Sequence, residues 1–238
     1  MITSAALCPA PPLLARELTG ADPVVPALRR ACLDAVAALI ADGPDLVAVV
    51  GVAGETRAWP PDGQLDLSPY APSLRTAQPM PASAPVSAPA WVPLPLGLGA
   101  RLLDQAGYQG RRELQSISDD EPAAACAALG ARLAGASARV AVLVMADGTA
   151  RRGLKAPGYL DERSVPFDAE VERAVRAGDL TALLALDPVL AQELMATGRA
   201  GWQVLAGAMN GVRPAAEIRY CDDPFGVAYL VASLQAGG

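Results

Sequence analysis

Arg139-Val-Ala-Val-Leu-Val-Met145 runs directly into Ala146-Asp-Gly-Thr-Ala-Arg-Arg-Gly-Leu-Lys-Ala-Pro-Gly-Tyr-Leu-Asp-Glu-Arg163. The first half is short, apolar and rich in β-branched residues, the pattern of a strand buried on both faces. The second half is punctuated by glycine, carries both signs of charge and holds Lys155, the sole lysine of the chain. Helical sequence follows over 167–177, 180–196 and 202–209. A buried strand that empties into a polar loop and returns as helix is the pattern of an α/β protein, in which ligands lie outside the carboxyl ends of the strands. Asp147, Thr149, Arg152, Lys155 and Tyr159 are therefore candidate pocket residues. The competing reading is a surface loop with solvated charges.

Working outward, 2–8 is an apolar strand that ends at Pro9-Ala-Pro-Pro12, where a central strand stops. Apolar residues at helical spacing (Leu28, Ala31, Cys32, Ala35, Leu39) predict a helix over 26–42, closed by Asp42-Gly-Pro44. Asp45-Leu-Val-Ala-Val-Val-Gly51 is a second buried strand, and the strand–helix–strand order requires parallel pairing. Its polar outlet, Ala53-Gly-Glu-Thr-Arg-Ala-Trp59, adds Glu55 and Thr56 to the candidates. Over 60–95 the composition turns to Pro, Ala and Ser, which predicts an extended or loop segment over the surface. A helix over 96–106, a half-buried strand over 112–117 and a helix over 121–133 come next. Strand-like stretches 215–221 and 226–233 flank Asp222-Asp-Pro-Phe-Gly226 and predict a hairpin. The fold expected is one α/β domain over 1–238. Its central sheet is mixed, mostly parallel with antiparallel C-terminal strands, with 2–8, 45–51 and 139–145 adjacent and helices on both faces.

Composition narrows the function. A chain of 238 residues with 52% hydrophobic content is long enough to bury a sizeable core. No apolar run approaches the ~18 residues of a membrane span, and a net charge of −6 disfavours nucleic acid and anionic membrane surfaces. The first residues lack a basic n-region, which predicts no secretory signal. Cys8, Cys32, Cys126 and Cys221 are widely spaced with no CxxC pair, as expected of reduced thiols in a cytoplasmic protein. There is no histidine. That removes the commonest general base, the commonest zinc ligand and any Ser-His or Cys-His pair.

The order of Cys8-Pro-Ala-Pro-Pro-Leu-Leu14, the outlet of strand 45–51, Ala146-Asp-Gly-Thr-Ala-Arg151 with Ala156-Pro-Gly-Tyr-Leu-Asp-Glu162, Arg176-Ala-Gly-Asp-Leu-Thr-Ala-Leu-Leu-Ala-Leu-Asp187, and Thr197-Gly-Arg-Ala-Gly-Trp202 onward to Met209 resembles the class III extradiol dioxygenase catalytic-subunit superfamily. The likeness covers most of the chain and is strongest from residue 140. It implies a mononuclear Fe(II) held by two His and one Glu, with a further His as acid/base. By that resemblance Ala10 stands at the first ligand position, Glu55 near the second, Ala200 at the third, and Arg151 at the acid/base position. Alanine offers iron no lone pair, and a guanidinium neither ligates a metal nor accepts a proton. The resemblance therefore predicts the fold without the family's reaction, no metal and no cofactor. It leaves three readings open. One is a non-catalytic relative that binds a small molecule or a protein partner. Another is an enzyme with changed, non-iron chemistry on an anionic substrate near Arg151, Arg152 and Lys155. The third is a structural or homo-oligomeric role. A small-molecule site predicts a closed pocket lined by Trp59, Tyr159 or Trp202, and an assembly role predicts an exposed apolar patch. Arg151 needs an anion, and Glu55 and Asp147 are its nearest candidates, a pairing that would leave the cleft inert.

Overall fold

The computed structural model describes residues 1–20, 24–72 and 90–237. In chain order the strands are β1 (Ile2–Cys8), β2 (Leu46–Val52), β3 (Arg57–Trp59), β4 (Gln64–Leu65), β5 (Trp91–Val92), β6 (Arg111–Ile117), β7 (Val140–Met145), β8 (Ala215–Asp222) and β9 (Tyr229–Gln235). The helices are α1 (Arg16–Thr19), α2 (Pro26–Ile40), α3 (Leu94–Gln105), α4 (Ala123–Ala134), α5 (Ser164–Ala177), α6 (Leu180–Leu184), α7 (Pro188–Glu193) and α8 (Arg199–Ala208). Seven strands form one sheet in the order β3-β6-β2-β7-β1-β9-β8. Its centre, β6-β2-β7-β1, is parallel, and β3 and the β8–β9 hairpin pair antiparallel at the two edges. The three strands expected to be adjacent lie side by side as β2-β7-β1.

The chain leaves β1, passes over the place of β7 to β2, steps outward to β6, then returns to fill the gap with β7. Right-handed crossovers in opposite directions put their helices on opposite faces of the sheet. Accordingly, alternate residues of β2 divide between two cores. Val47 and Val49 join Leu28, Cys32 and Leu103 of α2 and α3, while Leu46, Ala48 and Val50 join Leu133, Val171 and Leu205 of α4, α5 and α8. The six residues of β7 are all buried, which explains its continuous apolar sequence.

On the second face α8 is buried along its whole length. It lies between the sheet and α4 and meets α4 backbone to backbone. A Cβ on Gly207 would stand 2.2 Å from the Ala127 carbonyl oxygen, and one on Gly130 2.1 Å from that of Val204. Only glycine permits this approach.

Several boundaries differ from the sequence reading. The helix expected over 180–196 is two, α6 and α7. Asp187 caps α7 by accepting from the N–H groups of Val189 (2.8 Å) and Leu190 (3.3 Å), and Pro188 occupies its first turn. The expected surface segment 60–95 is partly packed. Its residues 73–89 lie outside those described, but β4 and β5 pair in parallel and bury Leu65 and Val92, and Pro95 lies in the first turn of α3. Trp202 is 2% exposed and belongs to the core. Among the described residues no helix is long and apolar enough to cross a membrane.

The glycine contact is directly testable. Gly207→Ala should lower stability by about 1–3 kcal/mol through overpacking against α4. Gly153→Ala, where an added Cβ meets nothing within 4 Å, should change it by less than about 0.5 kcal/mol. Urea denaturation of both variants reads the difference; equal midpoints would refute the close approach.

Candidate functional site at the carboxyl ends of the parallel strands

The change of direction between β1 and β7 makes a topological switch point at their carboxyl ends, where open α/β sheets form the crevice that accepts ligands. Cys8 is in register with Met145, and the Ala146 N–H donates to the Cys8 carbonyl (2.8 Å). One step further, the Ala10 N–H donates to Asp147 Oδ1 at 2.9 Å. The backbone of the same loop is fixed on two further sides. Gly198 N–H donates to the Asp147 carbonyl (2.8 Å), and Gly148 N–H to that of Ala228 (2.8 Å). A Cβ at position 198 would stand 2.5 Å from the Asp147 carbonyl, so the loop before α8 needs glycine there.

Asp147 retains some contact with solvent, yet protein surrounds its carboxyl closely enough for burial to push it up to about 6; the Ala10 N–H opposes that rise. No cation pairs with it among the described residues. Two phenols share its surroundings. Burial first, and the Asp147 charge second, raise both Tyr70 and Tyr229, the latter to about 12. Neither tyrosine stands out in the sequence, because each reaches the crevice from a distant segment. Among the candidates Asp147 is the titratable side chain hydrogen-bonded to the chain just after β1.

The other candidates divide into separate groups. Thr149 donates from N–H (3.0 Å) and Oγ1 (2.5 Å) to Asp168, while Arg152 pairs with Asp223 (2.6 Å) and Asp168 (3.5 Å). That network ties the loop to α5 and the β8–β9 turn and leaves Arg152 already neutralised. Lys155 is exposed, and Tyr159 is 74% exposed with its backbone in the left-handed region at φ 58°. Thr56 donates to Glu121 (2.7 Å) and accepts from the Ser118 N–H (2.9 Å) at the exit of β6. Glu55 is exposed and pairs with Arg57 at 2.9 Å, an ion pair worth about 0–1 kcal/mol. Arg57 in turn lies 3.4 Å over the Trp59 ring, which donates to Ser116 Oγ (2.8 Å). Trp59, Tyr159 and Trp202 therefore do not make the aromatic lining that a closed pocket was expected to have.

Arg151 corrects another expectation. Neither Glu55, held by Arg57, nor Asp147, held by Ala10, neutralises it. Among the described residues no carboxylate lies within ion-pair distance of Arg151, and its buried Nε has no hydrogen-bond partner. It lies against Gly158, with Met195 Sδ on the same contact.

The iron implied by the resemblance does not fit these residues. Ala10 and the fully buried Ala200 have no ligating side chain, the Ala10 N–H is already engaged by Asp147, and Glu55 is committed at the β3–β6 edge. Among the described residues no group of three His, Cys, Asp or Glu stands together as a metal cluster would require.

The chain is similar in structure to the uncharacterized protein JW3007 from Escherichia coli K12, with a TM-score of 0.58 and 17% identity over 99% of this chain and 100% of that one. At that identity the likeness carries the fold alone. No family model matches the chain, and no curated protein matches it.

The raised carboxyl of Asp147 has a sign. Between the ordinary aspartate value near 4 and about 6, the native state binds the proton more tightly than the unfolded chain. Stability attributable to this group is therefore present at low pH and falls as pH rises through that window. Asp147→Asn should match wild type near pH 4 and exceed it by about 1–3 kcal/mol above pH 6. Urea titrations of both proteins across the window check this; an Asn variant that stays less stable at neutral pH would contradict it.

Proposed function

We propose that the chain is a divergent relative of the class III extradiol dioxygenases. In this reading it has lost iron-dependent ring cleavage and binds a small anionic molecule in the crevice between β1 and β7. The observation that carries the reading is Asp147. Its carboxyl is enclosed, unpaired with any cation among the described residues, and fixed by the Ala10 N–H at the carboxyl end of two central strands. A group held in that way offers a ligand a strong hydrogen-bond partner in a low-dielectric recess. Arg151, four residues further along the same loop and in no ion pair with a described residue, supplies the positive charge for the ligand's anionic group. The four unpaired cysteines support a reducing, cytoplasmic setting.

A second reading has its own support. A carboxyl poised at about 6 suits proton transfer near neutral pH, so an enzyme using Asp147 as general acid/base in place of iron chemistry is the alternative. A protein partner or self-association would instead use the loop side chains Leu154, Tyr159 and Leu160, which are exposed.

Calorimetric titration with a panel of benzoates, protocatechuate among them, tests the first reading. Saturable binding is expected in metal-free protein, weakened about tenfold or more in Asp147→Ala and Arg151→Ala. Added Fe(II) should yield no ring-opening absorbance. Ring-opened product would overturn the reading outright, and turnover of a bound benzoate to any other product would favour the acid/base alternative.

A further inference from the structure

A second pocket, of about 350 Å³, opens where the exit of β6 meets α7 and the start of α8. It is separate from the Asp147 crevice, and its polar residues are Asp119, Asp120, Gln192, Thr197 and Arg199. Arg199 is 2% exposed. Its guanidinium donates to the carbonyls of Glu121 and Asp119 and, at 2.9 Å, to Gln203 Oε1. An arginine has five N–H donors, so two of them, the Nε–H included, carry no hydrogen bond to described residues. No carboxylate lies within ion-pair distance of it among those residues either. A buried cation without a counter-charge is costly, and stapling the β6–α4 loop to α8 needs only the donors already engaged.

The pocket also carries the opposite charge, outside ion-pair distance of Arg199. Asp119 and Asp120 are exposed, and neither side chain is engaged in an ion pair among the described residues. The apolar lining of the same pocket includes Val189 (62% exposed) and Met195 (41% exposed). Met195 is held in the left-handed region at φ 55°, a conformation costly for a non-glycine residue and concentrated at binding sites.

We propose that this pocket binds a small amino-acid-like zwitterion. The ligand carboxylate takes the free N–H groups of Arg199, its ammonium faces the carboxylates of Asp119 and Asp120, and its apolar side chain lies on Val189 and Met195. A simple anion would meet the two aspartates unfavourably, and a simple cation would leave Arg199 without its counter-charge. The volume is at the small end of ligand pockets, as a single amino acid requires.

The test is titration of the full chain with norleucine, hexanoate and pentylamine, followed by amide NMR shifts. Norleucine should bind saturably at millimolar concentration and move the amides of Gln192, Met195 and Thr197. Hexanoate, lacking the ammonium, and pentylamine, lacking the carboxylate, should each bind at least about tenfold more weakly. Asp119→Asn with Asp120→Asn, both on exposed side chains, should weaken norleucine by about tenfold. Arg199→Gln should abolish binding where that variant folds. The proposal fails if norleucine does not bind, if hexanoate binds as well as norleucine, or if the double variant binds it unchanged. It fails equally if the shifts map to Ala10 and Gly148 instead, since that would place the ligand in the other crevice.

Discussion

The backbone of α8 touches the backbone of α4, and much of the molecule follows from that contact. Gly207 and Gly130 let the two helices approach without intervening side chains, and Gly201 puts the other side of α8 within reach of Val144, Ala146 and Val52. A helix enclosed on both sides leaves few of its first-turn polar groups to water, so the protein supplies partners for them. Gly198 finds the Asp147 carbonyl, and Arg199 finds the carbonyls of Asp119 and Glu121. The outlets of β7 and β6 are thereby fixed against the same helix start, beside which the pocket lined by Arg199 opens.

Both places hold a charged side chain that is enclosed without an ion pair to any described residue. Asp147 is held by a backbone N–H, and Arg199 by carbonyls and an amide oxygen. Arg152, by contrast, is neutralised directly by Asp168 and Asp223. Removing a charge from water is costly unless a partner offsets it. Neutral partners offset only part of that cost, and a ligand of complementary charge offsets more. The contrast between the Arg152 network and these two residues is the physical basis for treating them as binding groups.

The parallel centre of the fold is legible in the sequence because its strands are buried on both faces. Continuous apolar runs such as 140–145 carry no period, but their short length and β-branched content mark a buried strand. The break between α6 and α7 is written as Leu186-Asp-Pro188, but the apolar spacing on either side of it masks that signal. Short strands inside a proline-rich stretch, such as β4 and β5, have no periodicity to show. At the site, Asp147 is visible as the polar residue after a buried strand. Ala10 and Gly198 stand out only as motif positions of the resemblance, and Tyr70 and Tyr229 not at all, since their meeting with Asp147 is made by the fold. The pairing expected for Arg151 fails for the same reason: a place in a motif says little about contact when Glu55 has Arg57 two residues away.

The crevice is a binding site only if the carboxyl at the head of β7 is enclosed and unpaired. Titration of the Asp147 side-chain carbon by NMR, assigned through Asp147→Asn, measures that directly. A midpoint near 6, as burial dictates, is the expected result. A midpoint near the ordinary aspartate value of about 4 would mean a solvated carboxylate, and the crevice would lose its claim to be a binding site.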